Sequence, residues 1–264
     1  MTSAARAHRV SGADIAPWRV VGASVVGPSH VRAELPNQDA YAFDVVDGAL
    51  IVVVCDGAGS AASAEVGAGL MVRALLDNLR AVSSTASVPL VVSATAAVRD
   101  ARQCLEEAAV RAGLPLSDYH TTVVAAVLLP QGDGFVLHIG DGAAVASVSL
   151  AEDGAASWEG ASVSAPENGE YANETFFVTQ SCWADHLRIT PLRGVTSILL
   201  MTDGAAGFAL HADGSPKAGF CEAVDRHLRR VNHADGAKAL AASLASEKAT
   251  HNPDDKTLVW ARRY

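Results

Sequence analysis

The order of hydrophobic patterns predicts an α+β fold. We expect a four-layer αββα sandwich, with two antiparallel β-sheets packed face to face and flanked by helix pairs. Three observations carry this expectation. Strand-like runs come in blocks, and helical patterns come in pairs between the blocks, so the chain does not read as alternating βαβ units. The runs mix small with β-branched residues, as two sheets that pack on each other require. The 264 residues are 50% hydrophobic and show no internal repeat and no Pro/Gly/Ser linker long enough to divide them, so one core can be buried.

The first block holds runs at 20–26, 40–46 and 50–55, each closed by Gly, Pro or Asp. Asp47-Gly48, between the last two, reads as a two-residue hairpin turn. A helical period follows over 63–82, with Val66, Leu70, Ala74 and Leu75 on one face and Leu79 a turn on. A second helix, over 89–112, spaces Val91, Val98, Cys104 and Leu105 comparably and puts most of its charges elsewhere. The second block has runs at 121–129, 135–139 and 143–150, with turns at Gly132-Asp133-Gly134 and Gly140-Asp141-Gly142. Residues 160–172 form the longest polar loop in the middle of the chain, of the kind that carries function or moves. Strands at 175–179 and 197–202 come next, then helices at 219–231 and 234–249, broken near Asn232-His233, and a last strand at 257–261. Residues 1–16 are expected to be a loosely held end, and 17–264 a single domain.

Composition narrows the function. Lys and Arg total 20 against 29 Asp and Glu, a net charge of -9, which argues against nucleic acid as a main partner. The first residues lack the apolar run of a signal peptide, and no stretch reaches the ~18 apolar residues of a membrane helix. Cys55, Cys104, Cys182 and Cys221 are scattered, with no CxxC or Cys/His cluster. They suggest neither a disulfide scaffold nor zinc, and a reducing cytoplasm is the simple location.

The informative feature is a set of aspartates beside apolar runs. The run 50–55 ends in Asp56-Gly57-Ala58-Gly59-Ser60, 136–139 leads into Gly140-Asp141-Gly142, and 198–202 ends in Asp203-Gly204. Asn252-Pro253-Asp254-Asp255 precedes the last strand, and Asn37-Gln38-Asp39 precedes the strand at 40–46. Singly, an Asp-Gly pair reads as a turn. Together, several carboxylates at the rims of buried strands would repel each other unless a divalent cation neutralised them. Hard oxygen donors of this kind select Mg²⁺ or Mn²⁺.

The ordered series Asn37-Gln38-Asp39, Asp56-Gly57-x-Gly59, Thr121-Thr122, Gly140-Asp141-Gly142, Asp203-Gly204 and Asp254-Asp255-x-Thr257 resembles the protein phosphatase 2C family of metal-dependent serine/threonine phosphatases. The likeness runs from about Val20 to Ala261. Ser29-His30, Gln38-Asp39 and Glu167-Asn168-Gly169-Glu170-Tyr171 resemble a bacterial branch.

The resemblance implies roles by position. Asp56 would bridge two metal ions, and the Gly57 carbonyl would reach the second. Asp203 and Asp254 would hold the first ion. Asp39 would serve the second directly or through water, and Asp141 would help hold a weaker third. Arg32 is the candidate for gripping the substrate phosphate. The implied chemistry is in-line attack on phosphorus by a metal-bridged water, with no covalent phosphoenzyme.

Departures from the family pattern are informative. Arg32 lies seven residues before Asp39, a longer spacing than usual. Ala58 stands where many members carry a proton-donating histidine. His30 is the nearest replacement, and reads equally as a surface histidine of a loop at 28–36. Gly207 replaces an aspartate that supports the third ion elsewhere, and Asp255 replaces a more common Asn. The expected substrates are phosphorylated proteins, opposite a serine/threonine kinase. The expected state is a monomer without nucleic acid or membrane attachment. Two other readings stand beside this one: a phosphoprotein-binding module with a degenerate site, and a phosphohydrolase of small phosphate esters. Residues 160–180 would be a flap bordering the site.

Overall fold

The computed structural model describes residues 17–83, 90–167, 175–246 and 251–264. The expected loose end at 1–16, and Asn168, Gly169, Glu170 and Tyr171 of the expected flap, lie outside the described residues.

The strands are β1 (Trp18–Val25), β2 (Asp39–Val46), β3 (Ala49–Asp56), β4 (Val123–Leu128), β5 (Gly134–Ile139), β6 (Ala143–Ser147), β7 (Ser149–Leu150), β8 (Ala156–Ser157), β9 (Ser162–Ser164), β10 (Arg188–Leu192), β11 (Ser197–Met201) and β12 (Lys256–Arg263). The helices are α1 (Pro28–Ala33), α2 (Ala64–Ser83), α3 (Leu90–Ala112), α4 (Asp203–Ala209), α5 (Ala218–Leu228) and α6 (His233–Leu244). One five-stranded sheet runs β1-β12-β11-β6-β9, a second runs β10-β5-β4-β3-β2, and β7 pairs with β8. The pairing is antiparallel throughout.

Strand alternation sorts the apolar residues into three buried layers. In β3, Leu50, Val52 and Val54 meet Ile198, Leu200 and Val259 of the other sheet. The odd-numbered Ile51, Val53 and Cys55 instead meet Met71 and Leu75 of α2 and Val98 and Leu105 of α3. On the far side, Leu199, Met201, Leu258 and Trp260 pack against Cys221, Leu228, Leu240 and Leu244 of α5 and α6. Each central strand is therefore buried on both faces, which explains its unbroken apolar run in the sequence. Every fully buried Leu or Val contributes about 1.5–3 kcal/mol, so this layering is the main source of stability.

Local signals place the turns and ends. Asp47 and Gly48 both have positive φ, 50° and 76°, the conformation of a tight hairpin turn. The helix break at Asn232 is a cap, with its side chain accepting from the Asp235 amide at 2.9 Å. Between sheet and helix, Asp225 is fully buried and accepts from the Ala156 amide at 2.8 Å, Trp260 Nε1 at 3.1 Å and Arg262 Nη1 at 2.6 Å.

The structure corrects four local expectations. The polar loop expected at 160–172 contains strand β9, at the edge of its sheet. Residues 175–179 do not form a strand. Gln180 Oε1 accepts from the Phe177 amide at 3.0 Å, and Val178 is buried in the layer against α2 and α3. Its apolar character reflects packing rather than sheet. The loop expected at 28–36 begins with helix α1, with Pro28 at a helix start that needs no amide and Glu34 closing it at φ 56°. Strand β10 escaped notice because it contains Pro191, which is tolerated on an edge strand such as this one.

Candidate metal centre

The sandwich brings the aspartates to one end by register. Asp39, at the start of β2, stands opposite Asp56, at the end of β3. Asp203 opens α4 directly after β11, Asp254 lies two residues before β12, and Asp141 sits in the turn that carries the chain from β5 in one sheet to β6 in the other. Asp56, Gly57, Asp141, Asp203 and Asp254 line one cavity of about 420 Å³, with His30, Thr122 and Phe177 also in its wall. Asp39 lies behind this wall, 8% exposed. Arg32 is exposed on α1 and is not among the lining residues.

Neighbouring hydroxyls and amides hold these groups in place. The Thr202 hydroxyl donates to Asp39 Oδ2 at 2.8 Å, and the Thr257 amide donates to that hydroxyl at 3.0 Å. The end of β3 is pinned by the Thr121 hydroxyl and the Thr122 amide, which donate to the Asp56 carbonyl at 2.9 and 2.8 Å. The Thr175 hydroxyl donates to Asp141 Oδ2 at 2.6 Å. Two glycines let backbones approach. A Cβ on Gly57 would fall 2.6 Å from the Ala64 carbonyl oxygen, and one on Gly204 would fall 1.9 Å from that of Asp255.

The crowding is costly for charge. Burial pushes the Asp39 carboxyl up to about 8, and the neighbouring Asp255 and Asp203 add to the rise against hydrogen bonds from Thr257 and Thr202. Asp56 is raised well above the usual range by burial and then by Asp39 and Asp203. Burial lifts Asp203 to about 6 and also raises Asp141. Asp39, Asp56 and Asp203 each feel the charge of neighbouring carboxylates. Among the described residues, no three His, Cys, Asp or Glu side chains stand as a ready-made metal cage. Instead the carboxylates lean on each other and on hydroxyls.

Asp39 Oδ1 and Asp203 Oδ1 are buried with no hydrogen-bond partner. Such orphaned acceptors are expensive unless something positive meets them. An all-oxygen set with surplus negative charge fits Mg²⁺ or Mn²⁺.

Comparison with known proteins assigns the family. Residues 26–245 match the family model described as protein phosphatase 2C. The chain belongs to the protein phosphatase 2C family. It is 32% identical over 212 residues to serine/threonine-protein phosphatase 3 of Escherichia coli, covering 77% of this chain and 80% of that one. The fold is similar to the serine/threonine phosphatase PstP/Ppp of Mycobacterium tuberculosis, with a TM-score of 0.61 at 15% identity over 93% of this chain and 98% of that one. It is also similar to RsbX in complex with magnesium, with a TM-score of 0.53 at 12% identity over 94% and 96% of the two chains. This family consists of metal-dependent serine/threonine protein phosphatases, and the two five-stranded antiparallel sheets with the helices among the described residues are its α+β fold.

Several site residues escaped the sequence reading. Thr175 and Thr202 support the site, yet lone hydroxyl residues carry no motif. Thr202 and Asp203 form a Thr-Asp-Gly run at a strand end, which could have marked the hydroxyl. His120 pairs with the Thr179 hydroxyl at 2.6 Å and stacks on Phe177.

Proposed function

We propose that this protein is a Mg²⁺- or Mn²⁺-dependent phosphatase of phosphoserine and phosphothreonine in proteins. The observation that carries the reading is the convergence of Asp56, Asp141, Asp203 and Asp254 on one cavity, with Asp39 behind them. Asp56, the Gly57 carbonyl, Asp203, Asp254 and Asp39 would hold two ions, and Asp141, backed by Thr175, a weaker third. Bound there, the ions would neutralise the carboxylates, supply a water of lowered pKa and offset charge on the phosphoryl oxygens.

The chain's own residues set up the reaction. Thr202 and Thr257 orient Asp39, and Thr121 and Thr122 fix the strand end that carries Asp56. Phe177 and Thr175 wall one side of the cavity, which favours a flap role for the segment 160–180. Arg32 shares α1 with Ser29 and His30 of the cavity wall, so it would attract the phosphate from outside the wall rather than grip it within. His30 is the candidate proton donor. A covalent route through Cys55 is disfavoured, because this thiol is fully buried, pushed well above its usual pKa and outside the cavity wall. We assign residues 17–264 to one catalytic domain that acts as a cytoplasmic monomer on the products of a serine/threonine kinase.

Phosphate release from phosphoserine and phosphothreonine peptides in the presence of Mn²⁺ tests the reading. Turnover of peptides is expected. Turnover of small phosphate esters alone would favour the phosphohydrolase, and binding without turnover would favour the degenerate module.

A further inference from the structure

We propose that Asp255 and His30 form a proton-donating pair, with His30 as the general acid and Asp255 as the residue that positions it. The inference rests on the phosphatase reading and deepens it. The two positions are 225 residues apart in sequence, and nothing in their local motifs connects them.

The geometry is that of an oriented imidazole. His30 Nδ1 lies 2.9 Å from Asp255 Oδ2. Asp255 is 1% exposed, and its two oxygens also accept from the Gly27 amide at 2.7 Å and the Gln38 amide at 2.6 Å. A carboxylate held by two amides cannot turn away, so it selects the tautomer with hydrogen on Nδ1. The other nitrogen, Nε2, has no hydrogen-bond partner among the described residues, and His30 is one of the residues lining the cavity. The ring cannot drift either. Ser29, beside it, is tied to the Pro253 carbonyl through its amide at 3.0 Å and its hydroxyl at 2.5 Å.

Two departures noted in the sequence therefore meet in space. Ala58 lines the same cavity without a titratable side chain, and Asp255 is the partner of the histidine that does line it. An Asn at position 255 could offer the ring either its carbonyl or its amide and so would not select one tautomer. A nucleophile, a base and a group that orients the base or acid is a recurring arrangement in hydrolysis, and the Asp255–His30 pair supplies the last two members.

The step balances as follows. The water oxygen bonds to phosphorus as the bond from phosphorus to the seryl oxygen breaks. The electron pair of that bond goes to the seryl oxygen, which takes the proton from His30 Nε2. The attacking water releases one proton to solvent, and His30 is reprotonated from solvent. The products are the free hydroxyl and inorganic phosphate.

The test exploits leaving groups. A seryl alkoxide needs the proton, whereas p-nitrophenolate leaves with little help. Wild type, His30→Ala, Asp255→Asn and the double variant are assayed with Mn²⁺ on a phosphoserine peptide and on p-nitrophenyl phosphate. His30→Ala is expected to lose about 10²-fold more kcat on the peptide than on the aryl ester. Asp255→Asn should show the same bias, smaller, and the double variant should lose no more than His30→Ala. Nitrogen NMR of the metal-free protein gives a readout independent of turnover: His30 should carry its hydrogen on Nδ1 when neutral, and Asp255→Asn should mix the tautomers. Equal losses on both substrates, or a His30 tautomer with hydrogen on Nε2, would overturn the pair. No turnover of either substrate by wild type would instead remove the phosphatase reading, and the pair with it.

Discussion

At the scale of single residues, the site gathers carboxylates that are poorly placed for folding. Asp56 is half-buried, and desolvation and then Asp39 and Asp203 raise its carboxyl. Asp56→Asn should therefore make the metal-free protein more stable while removing catalysis, the trade-off found where function needs a strained site. Thermal melts in chelator and turnover with Mn²⁺ measure the two halves, and a less stable metal-free variant would contradict the crowding argument. Arg32 gives a second test. Because it is exposed and outside the cavity wall, Arg32→Ala should raise KM for phosphopeptides about fivefold, the worth of ~1 kcal/mol for an exposed charge, and affect kcat much less. A fall in kcat with constant KM would place the guanidinium at the reacting phosphoryl group. The aspartates could be read from sequence because each stands beside an apolar run. The pairings of Thr175 with Asp141, Thr202 with Asp39 and His30 with Asp255 could not. Such contacts join residues 34, 163 and 225 positions apart.

At the scale of elements, the strands were readable wherever both faces are buried, as in β3, β4, β11 and β12, because their apolar runs are unbroken. Short or edge elements were not. The six residues of α1 are too few for a helical period, and Pro191 masks β10. The apolar stretch containing Val178 mimics a strand, since it packs beneath α2 and α3 without joining a sheet. The contact between α4 and the β12 lead is the tightest at the site, where a Cβ on Gly204 would meet the Asp255 carbonyl at 1.9 Å. Gly204→Ala should cost about 1–3 kcal/mol and weaken Mn²⁺ binding, because it separates Asp203 from Asp254. Calorimetric titration and melting measure both. Unchanged metal affinity would mean that this contact does not set the distance between the two carboxylates.

For the whole molecule, the net charge of -9 acquires a location. Asp39, raised to about 8, and Asp203, raised to about 6, keep protons in the folded metal-free state that the unfolded chain has already released above the ordinary carboxylate value. Their contribution is full at low pH and is lost as pH rises through these folded values. Burial lowers His138 to about 3, which has the opposite sign: it costs stability as pH falls below about 6.5, where the unfolded chain takes up a proton. From pH ~6.5 to 8 only the carboxylates act, so the melting temperature in chelator should fall across that window. Mn²⁺ should remove the slope by replacing protons at the site. A melting temperature that rises with pH in chelator would contradict this assignment.

If these aspartates hold the ions that phosphate hydrolysis needs, it will show in phosphate release from a phosphothreonine peptide, measured for wild type, Asp56→Asn and Asp203→Asn, with Mn²⁺ and with chelator. The expected result is turnover by wild type with Mn²⁺ alone, abolished by chelator and reduced about 10²–10³-fold or more in both folded variants. Turnover that survives chelator, or that persists in both variants, would contradict it.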